Sequence, residues 1–137
     1  PAGSAIIATN ASGATTTLTA SCANYAGATV TITAPSAGTI VVEANSNMRL
    51  DHTAGTTDDL WLAIGTTNAD CGDSYNAMQW TIPAANPTHG WSPYSFTVRR
   101  SFAVAAGTYT YYLNGYMNSG AAGDVFYWAA LHATFYR

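Results

Sequence analysis

The chain has 137 residues, the length of one ordinary domain, enough to bury a core and too few for two comfortable ones. Only 8% of them are charged, as four Arg, one Glu, six Asp and no Lys, against about 25% in a typical soluble domain. A net charge of −3 with no basic cluster argues against a nucleic-acid partner, and no stretch approaches the roughly 18 apolar residues of a membrane span.

The rest of the composition sets the fold class. Ala and Thr fill 46 positions and Ser, Asn and Gly another 31, so small neutral groups must make the surface. Ile, Leu, Val and Phe total only 22, but 9 Tyr and 4 Trp add bulk, and disorder requires high net charge as well, so the chain is expected to fold. Helix exteriors are normally made of Glu, Lys, Gln and Arg, which are nearly absent, and this excludes long helices. Thr, Val, Ile and aromatic residues instead alternate in short runs bounded by Gly, Pro, Asn and Asp, the mark of strands and turns.

The chain reads as a single β-sandwich domain over 1–137, with an N-terminal arm or strand over 1–21 and the sandwich core over 22–137. Proline at position 1 in place of an initiator Met points to a processed or trimmed chain. The arm is rich in Ala, Thr and Ser, with Ile6, Ile7 and Leu18 as its apolar points, and suits one or two weak strands. Asn10-Ala11-Ser12 is its glycosylation sequon, a match near chance in a chain this rich in Asn and Ser. From Ala28, the residues Val30, Ile32 and Ala34 alternate with threonines up to a turn at Pro35 to Gly38. The clearest strand follows. Ile40, Val42, Ala44, Met48 and Leu50 share one face, and Glu43, Asn45, Asn47 and Arg49 share the other. After the loop DHTAGTTD, Leu60, Leu62 and Ile64 alternate with Trp61 and Ala63, and Met78, Trp80 and Ile82 mark a short strand.

Residues 83–93 hold three prolines and are expected to be irregular. Beyond them Tyr94, Phe96, Val98, Phe102 and Val104 keep one parity, on which Arg100 also falls, and a β-bulge that turns Arg100 outward is the expected explanation. Two aromatic strands close the chain, from Thr108 to Met117 and from Val125 to Tyr136. Eight or nine strands, with turn signals roughly every 8 to 12 residues, predict an all-β antiparallel sandwich or jelly roll.

Cys22 and Cys71 are the only cysteines, and in a chain of secreted character they are expected to pair. Asp51-His52 with Asp58-Asp59 is the densest polar group, but no G-x-S-x-G elbow and no Lys accompany it, so no catalytic residue is assigned and no enzyme or cofactor is expected. Asp58, Asp59, Asp70 and Asp73 are weak calcium candidates. The segment from Asn68 fails the EF-hand pattern, with Gly at its fifth position and Gln79 at its twelfth.

The aromatic signal is the more informative one. In YTYYLNGYM and VFYWAALHATFY both parities carry large rings, with Phe126, Trp128 and His132 read on one face and Val125, Tyr127, Leu131 and Phe135 on the other. Strands apolar on both sides need a second cover: another subunit, a terminal arm or a ligand. This makes Tyr109, Tyr111, Tyr112, Tyr116, Phe126, Tyr127, Trp128, His132 and Tyr136, with Ile6 and Ile7 of the arm, the candidates for an assembly interface. FAVAAGTYTYY, from Phe102 to Tyr112, and the terminal WAALHATFY resemble the last strands of compact extracellular jelly rolls, including the TNF/C1q-like domains of bacterial fibre and collagen-like proteins. The resemblance covers the chain from Phe102 onward and the strand rhythm. The disulfide, the N-terminal arm and the lack of a collagen repeat depart from it. It implies a non-enzymatic, often trimeric module whose aromatic strands pack between subunits.

The expectation is therefore a secreted, extracellular or cell-surface structural protein that forms homo-oligomers as a filament, fibre or coat subunit, through its aromatic faces and by exchange of the N-terminal strand. The alternative is a carbohydrate-binding module that stacks glycans on Trp61, Trp91 and Tyr94.

Overall fold

The computed structural model describes residues 6–12, 15–73, 75–120 and 123–137. These form nine strands and no helix: β1 (Ile6–Ser12), β2 (Thr16–Thr17), β3 (Ala23–Ala34), β4 (Gly38–His52), β5 (Asp58–Gly65), β6 (Ala77–Ile82), β7 (His89–Val104), β8 (Gly107–Ser119) and β9 (Val125–Tyr136). They make two antiparallel sheets. The first runs β1-β9-β4-β7, with β2 also on β9, and the second runs β3-β8-β5-β6.

The pairs nest around the 66–76 connection. β5 pairs with β6, β4 with β7, β3 with β8, and β1 and β2 with β9. The chain is thus one long hairpin doubled at its middle and wound so that β3 to β5, and then β6 to β9, alternate between sheets. That winding is a jelly roll.

Parity builds the core. In β4 the even residues from Ile40 to Leu50 are buried and the odd ones are not. They meet Leu60, Leu62, Ile64, Leu113 and Met117 of the second sheet, in one cluster with Val30 and Ile32. Gly115 is required where β8 passes under Phe126, because a Cβ there would lie 2.6 Å from the Phe126 ring and 2.8 Å from the Trp61 carbonyl oxygen. Cys22, just before β3, bonds to Cys71 in the 66–76 connection, with Cα atoms 5.9 Å apart.

Tyr25 is fully buried, with its ring edge-on to Phe126 at 4.3 Å. Its hydroxyl meets no hydrogen-bond partner, and burial pushes the phenol pKa up. Removing an unsatisfied buried hydroxyl relieves a desolvation cost of about 1 kcal/mol or more. Tyr25→Phe is therefore expected to keep or raise the melting temperature, and a fall of several degrees would mean that the hydroxyl is bonded.

Three expectations are corrected. Residues 89–93 belong to β7, with Pro93 opposite Arg49, because β7 is an edge strand and a missing N–H on its open side breaks no ladder bond. Arg100 stays on the inward parity without a bulge and pairs with Val42. Its guanidinium crosses between the sheets, donates to the Ile64 carbonyl oxygen at 2.9 Å and lies 3.7 Å from Asp70 Oδ2. In β9 the register shifts between the partners of Asn47 and Met48, so that Asn47 faces Trp128 and Met48 faces Phe126. That bulge changes parity along β9, so that Phe126 lies inward with Leu131 and Phe135 and both Tyr127 and Trp128 turn outward.

Candidate functional site

The outer face of the first sheet carries exposed rings on β7 and β9, beside polar pairs such as Thr97 with Asn45. Trp91 is 53% exposed, Tyr136 51%, Trp128 44%, Tyr127 39% and Ile7 of the neighbouring β1 63%. Arg49, at the face's end near β4's C-terminus, lies between two of these rings, its guanidinium carbon 3.2 Å from the Trp91 centroid and 3.9 Å from that of Tyr127. The bulge makes this clamp, since it places Tyr127 as well as Trp128 on the solvent side. Aromatic faces hold a guanidinium at about 0.5–1 kcal/mol at exposed sites, and no carboxylate among the described residues forms an ion pair with it.

The outer face of the second sheet is polar. Threonines of β3 and β8 pair across it through their hydroxyls, Thr31 with Thr110 at 2.8 Å and Thr33 with Thr108 at 3.0 Å. Nearer the other end Trp61 and Tyr116 stack in parallel on adjacent strands, centroids 6.0 Å apart. Asp59 stands beside them and accepts from Gln79 Nε2 at 2.8 Å, Thr81 Oγ1 at 2.9 Å, Trp61 Nε1 at 3.2 Å and Asn118 Nδ2 at 3.5 Å. Burial opposes ionisation here, but these hydrogen bonds outweigh it and hold the carboxyl below its ordinary pKa.

At the end where β4 runs into β5, a buried polar group ties the loops together. His52 Nε2 is 3.1 Å from the Asn86 carbonyl oxygen, which only accepts, so this nitrogen carries a hydrogen. Nδ1 lies 2.5 Å from Asp58 Oδ2. Asp124, fully buried, accepts from the Asp51 backbone N–H at 2.7 Å through Oδ1, while Oδ2 has no partner. Its pKa is pushed up to about 7, first by burial, against the Asp51 hydrogen bond and with the help of the Asp58 and Asp51 charges.

The sequence-derived candidates divide among these places. Tyr111 and Phe126 are core residues, which removes them from any surface. Tyr109 packs against the core on the inward side, and Tyr112 and Tyr116 lie half-buried on β8. Ile6, Ile7, Tyr127, Trp128, His132 and Tyr136 are exposed on β1 and β9. Trp61 and Trp91 lie on opposite outer faces, and Tyr94 packs with Trp80 and Phe96 where the edges of β6 and β7 meet, so these three make no common platform.

The four calcium candidates do not converge. Asp58 holds His52, Asp59 has its four donors, Asp70 accepts from Gly72 N at 2.9 Å, and Asp73 caps the turn through Tyr75 N at 2.9 Å. No three His, Cys, Asp or Glu among the described residues are placed to hold a metal ion together. Sequence reading missed Asp124, Asn114 and the Arg49 clamp. Only Arg49 left a signal, as the last outward residue of the clearest strand.

No protein-family model matches the chain, and comparison with curated proteins finds no match. Solved structures similar to it include the infectious bursal disease virus VP2 subviral particle, at 7% identity and TM-score 0.46 over 97% of this chain, which spans 33% of that one. The globular domain of zebrafish complement 1qA protein is similar at 10% identity and TM-score 0.46, covering 96% of this chain and 98% of that one. A carbohydrate-binding module from Cellvibrio mixtus lichenase 5A, in complex with cellotriose, is similar at 19% identity and TM-score 0.32, covering 80% and 68%. The class of this protein, a disulfide-bonded jelly-roll sandwich, follows from its own strand order and bridge.

Proposed function

We propose that the chain is a non-enzymatic, extracellular structural subunit that assembles with copies of itself into a filament, fibre or coat. The observation that carries this reading is the outer face of the first sheet, where Trp91 of β7 and Tyr127 and Trp128 of β9 stand exposed on either side of β4, with Tyr136 exposed at the far end of β9. Exposed aromatic side chains gathered on one face of a sheet mark an interaction site. The absence of Lys and the single Glu support it, since edge lysines and like charge are what keep β-sandwiches apart. A disulfide suits an oxidising compartment. The non-catalytic part of the reading is supported by His52, a buried ring with both nitrogens engaged.

Sedimentation velocity and negative-stain imaging of the full chain test the reading. The expected result is regular assemblies many times the mass of one chain, and a monodisperse single chain at high micromolar concentration overturns it. Strand exchange is a second route to the same assembly. β1 pairs with β9 within one chain, and exchange would place those bonds between copies. Deleting residues 1–12 disperses an exchanged assembly and leaves one built on the faces intact.

Glycan binding has one observation in its favour, the Trp61–Tyr116 stack beside the hydrogen-bonding Asp59, Gln79 and Asn118. A glycan array with the folded chain decides it: binding lost in Trp61→Ala supports the module reading, and silence removes it.

A further inference from the structure

We propose that copies of this chain stack in one direction, the outer face of the five-stranded sheet of one copy on the outer face of the four-stranded sheet of the next, with Arg49 of one set against Asp59 of the other. This rests on the assembly reading above and names its contact.

Charge decides the pairing of faces. The strands of the first sheet carry Arg49 and Arg99 on the outward parity with Glu43, which is paired with Arg99, and Asp51, and neither Arg makes an ion pair among the described residues. The outward residues of the second sheet include one charge, Asp59, and no cation. A contact between two second sheets would offer Asp59 no cation, whereas the first sheet presents Arg49. Like charges across an interface are costly, and Arg49 set against Asp59 joins unlike ones.

Position agrees with charge. Arg49 pairs with Val125 at the start of β9, and Asp59 pairs with Ser119 at the end of β8. These strand ends are joined by the short 120–124 connection, so the two charges occupy the same end of the sandwich on opposite faces. Displacing one copy perpendicular to its sheets sets the end that carries residue 49 against the end of the next copy that carries residue 59. Both groups are also fixed in advance. The two rings hold the Arg49 guanidinium with its N–H edges free of any described hydrogen bond, and four donors hold the Asp59 carboxylate in place. Each brings aromatic surface to the contact, Trp91 and Tyr127 from one side and the Trp61–Tyr116 stack from the other. A head-to-tail contact between opposite faces, repeated by displacement without a closing rotation, gives an open filament.

The experiment uses the full chain at low ionic strength, with sedimentation velocity as the readout and thermal melting as the control for folding. Arg49→Asp and Asp59→Arg are each expected to reduce the assembled fraction at least tenfold. Mixing these two variants one to one restores assembly, because every contact in an alternating stack then joins unlike charges, and the variant carrying both changes also assembles. If either reversal fails to fold, Arg49→Gln or Asp59→Asn replaces it, with a several-fold weakening expected. Single variants that assemble as the wild type does, or folded reversals that stay dispersed when mixed, overturn the contact while leaving assembly through another surface intact. A wild-type chain that does not assemble overturns the broader reading.

Discussion

Replacing Asp124 with Asn is expected to raise the melting temperature at pH 8 and to flatten its dependence on pH between about 4 and 7. Asp124 has its pKa raised from 3.8 to about 7. Between those values the folded chain keeps a proton that the unfolded chain has released, so stability falls as pH rises through that window. The contribution is fully present below 3.8 and lost above about 7. A rise of this size corresponds to on the order of 4 kcal/mol at alkaline pH, an upper figure because relaxation around the carboxylate reduces it. The Asn side chain keeps the oxygen that accepts from Asp51 N and carries no charge beside Asp51 and Asp58. Melting temperatures of both chains from pH 4 to 8 check this. The wild type should lose stability across the range while Asp124→Asn holds nearly level. A variant less stable at every pH would show instead that the Asp124 charge is required in the fold.

What the sequence could show depended on whether one strand or several decided the outcome. The face of β4 was legible because strict alternation over fifteen residues fixes which side meets the core, whatever its neighbours are. The pairing of Cys22 with Cys71 was legible because these are the only two cysteines. The side taken by Phe126 was not, since the bulge that turns it inward exists only in register with Asn47 and Met48 of another strand. Arg100 misled for a related reason. A charge on an apolar parity suggests a bulge, but at the margin of the sandwich its long side chain reaches the Ile64 carbonyl and Asp70 of the opposite sheet without one. The prolines of 83–93 marked irregular chain correctly up to position 88. Pro93 then falls on an edge, which no local pattern announces. At the candidate surface the abundance of exposed rings could be read, but the sandwiching of Arg49 between β7 and β9 depends on strand order. The framing of Asp59 by β6 and β8 depends on it equally.

The 66–76 connection is where the doubled chain turns back, and loosening it is expected to cost the fold more than any surface change. Cys22→Ala with Cys71→Ala opens a bridge spanning 49 residues, worth about 4 kcal/mol on the chain-entropy account. Asn114→Leu is expected to cost about 2–3 kcal/mol by itself. Asn114 is completely buried in β8. Its amide nitrogen donates to the carbonyl oxygens of Thr67 at 2.8 Å and Asp70 at 2.7 Å, and its own oxygen accepts from Asn24 at 3.4 Å. Leucine matches the volume and leaves those carbonyls without their donor. Both devices hold the same loop, so their losses should not add. Once the bridge is gone the loop partly leaves Asn114, and the leucine change then removes contacts already weakened. Urea unfolding of the four chains of this cycle is expected to give a combined loss smaller than the sum by more than about 0.5 kcal/mol. Strict additivity would mean that the loop stays docked on Asn114 without its bridge, leaving the disulfide to act only by shortening the unfolded chain.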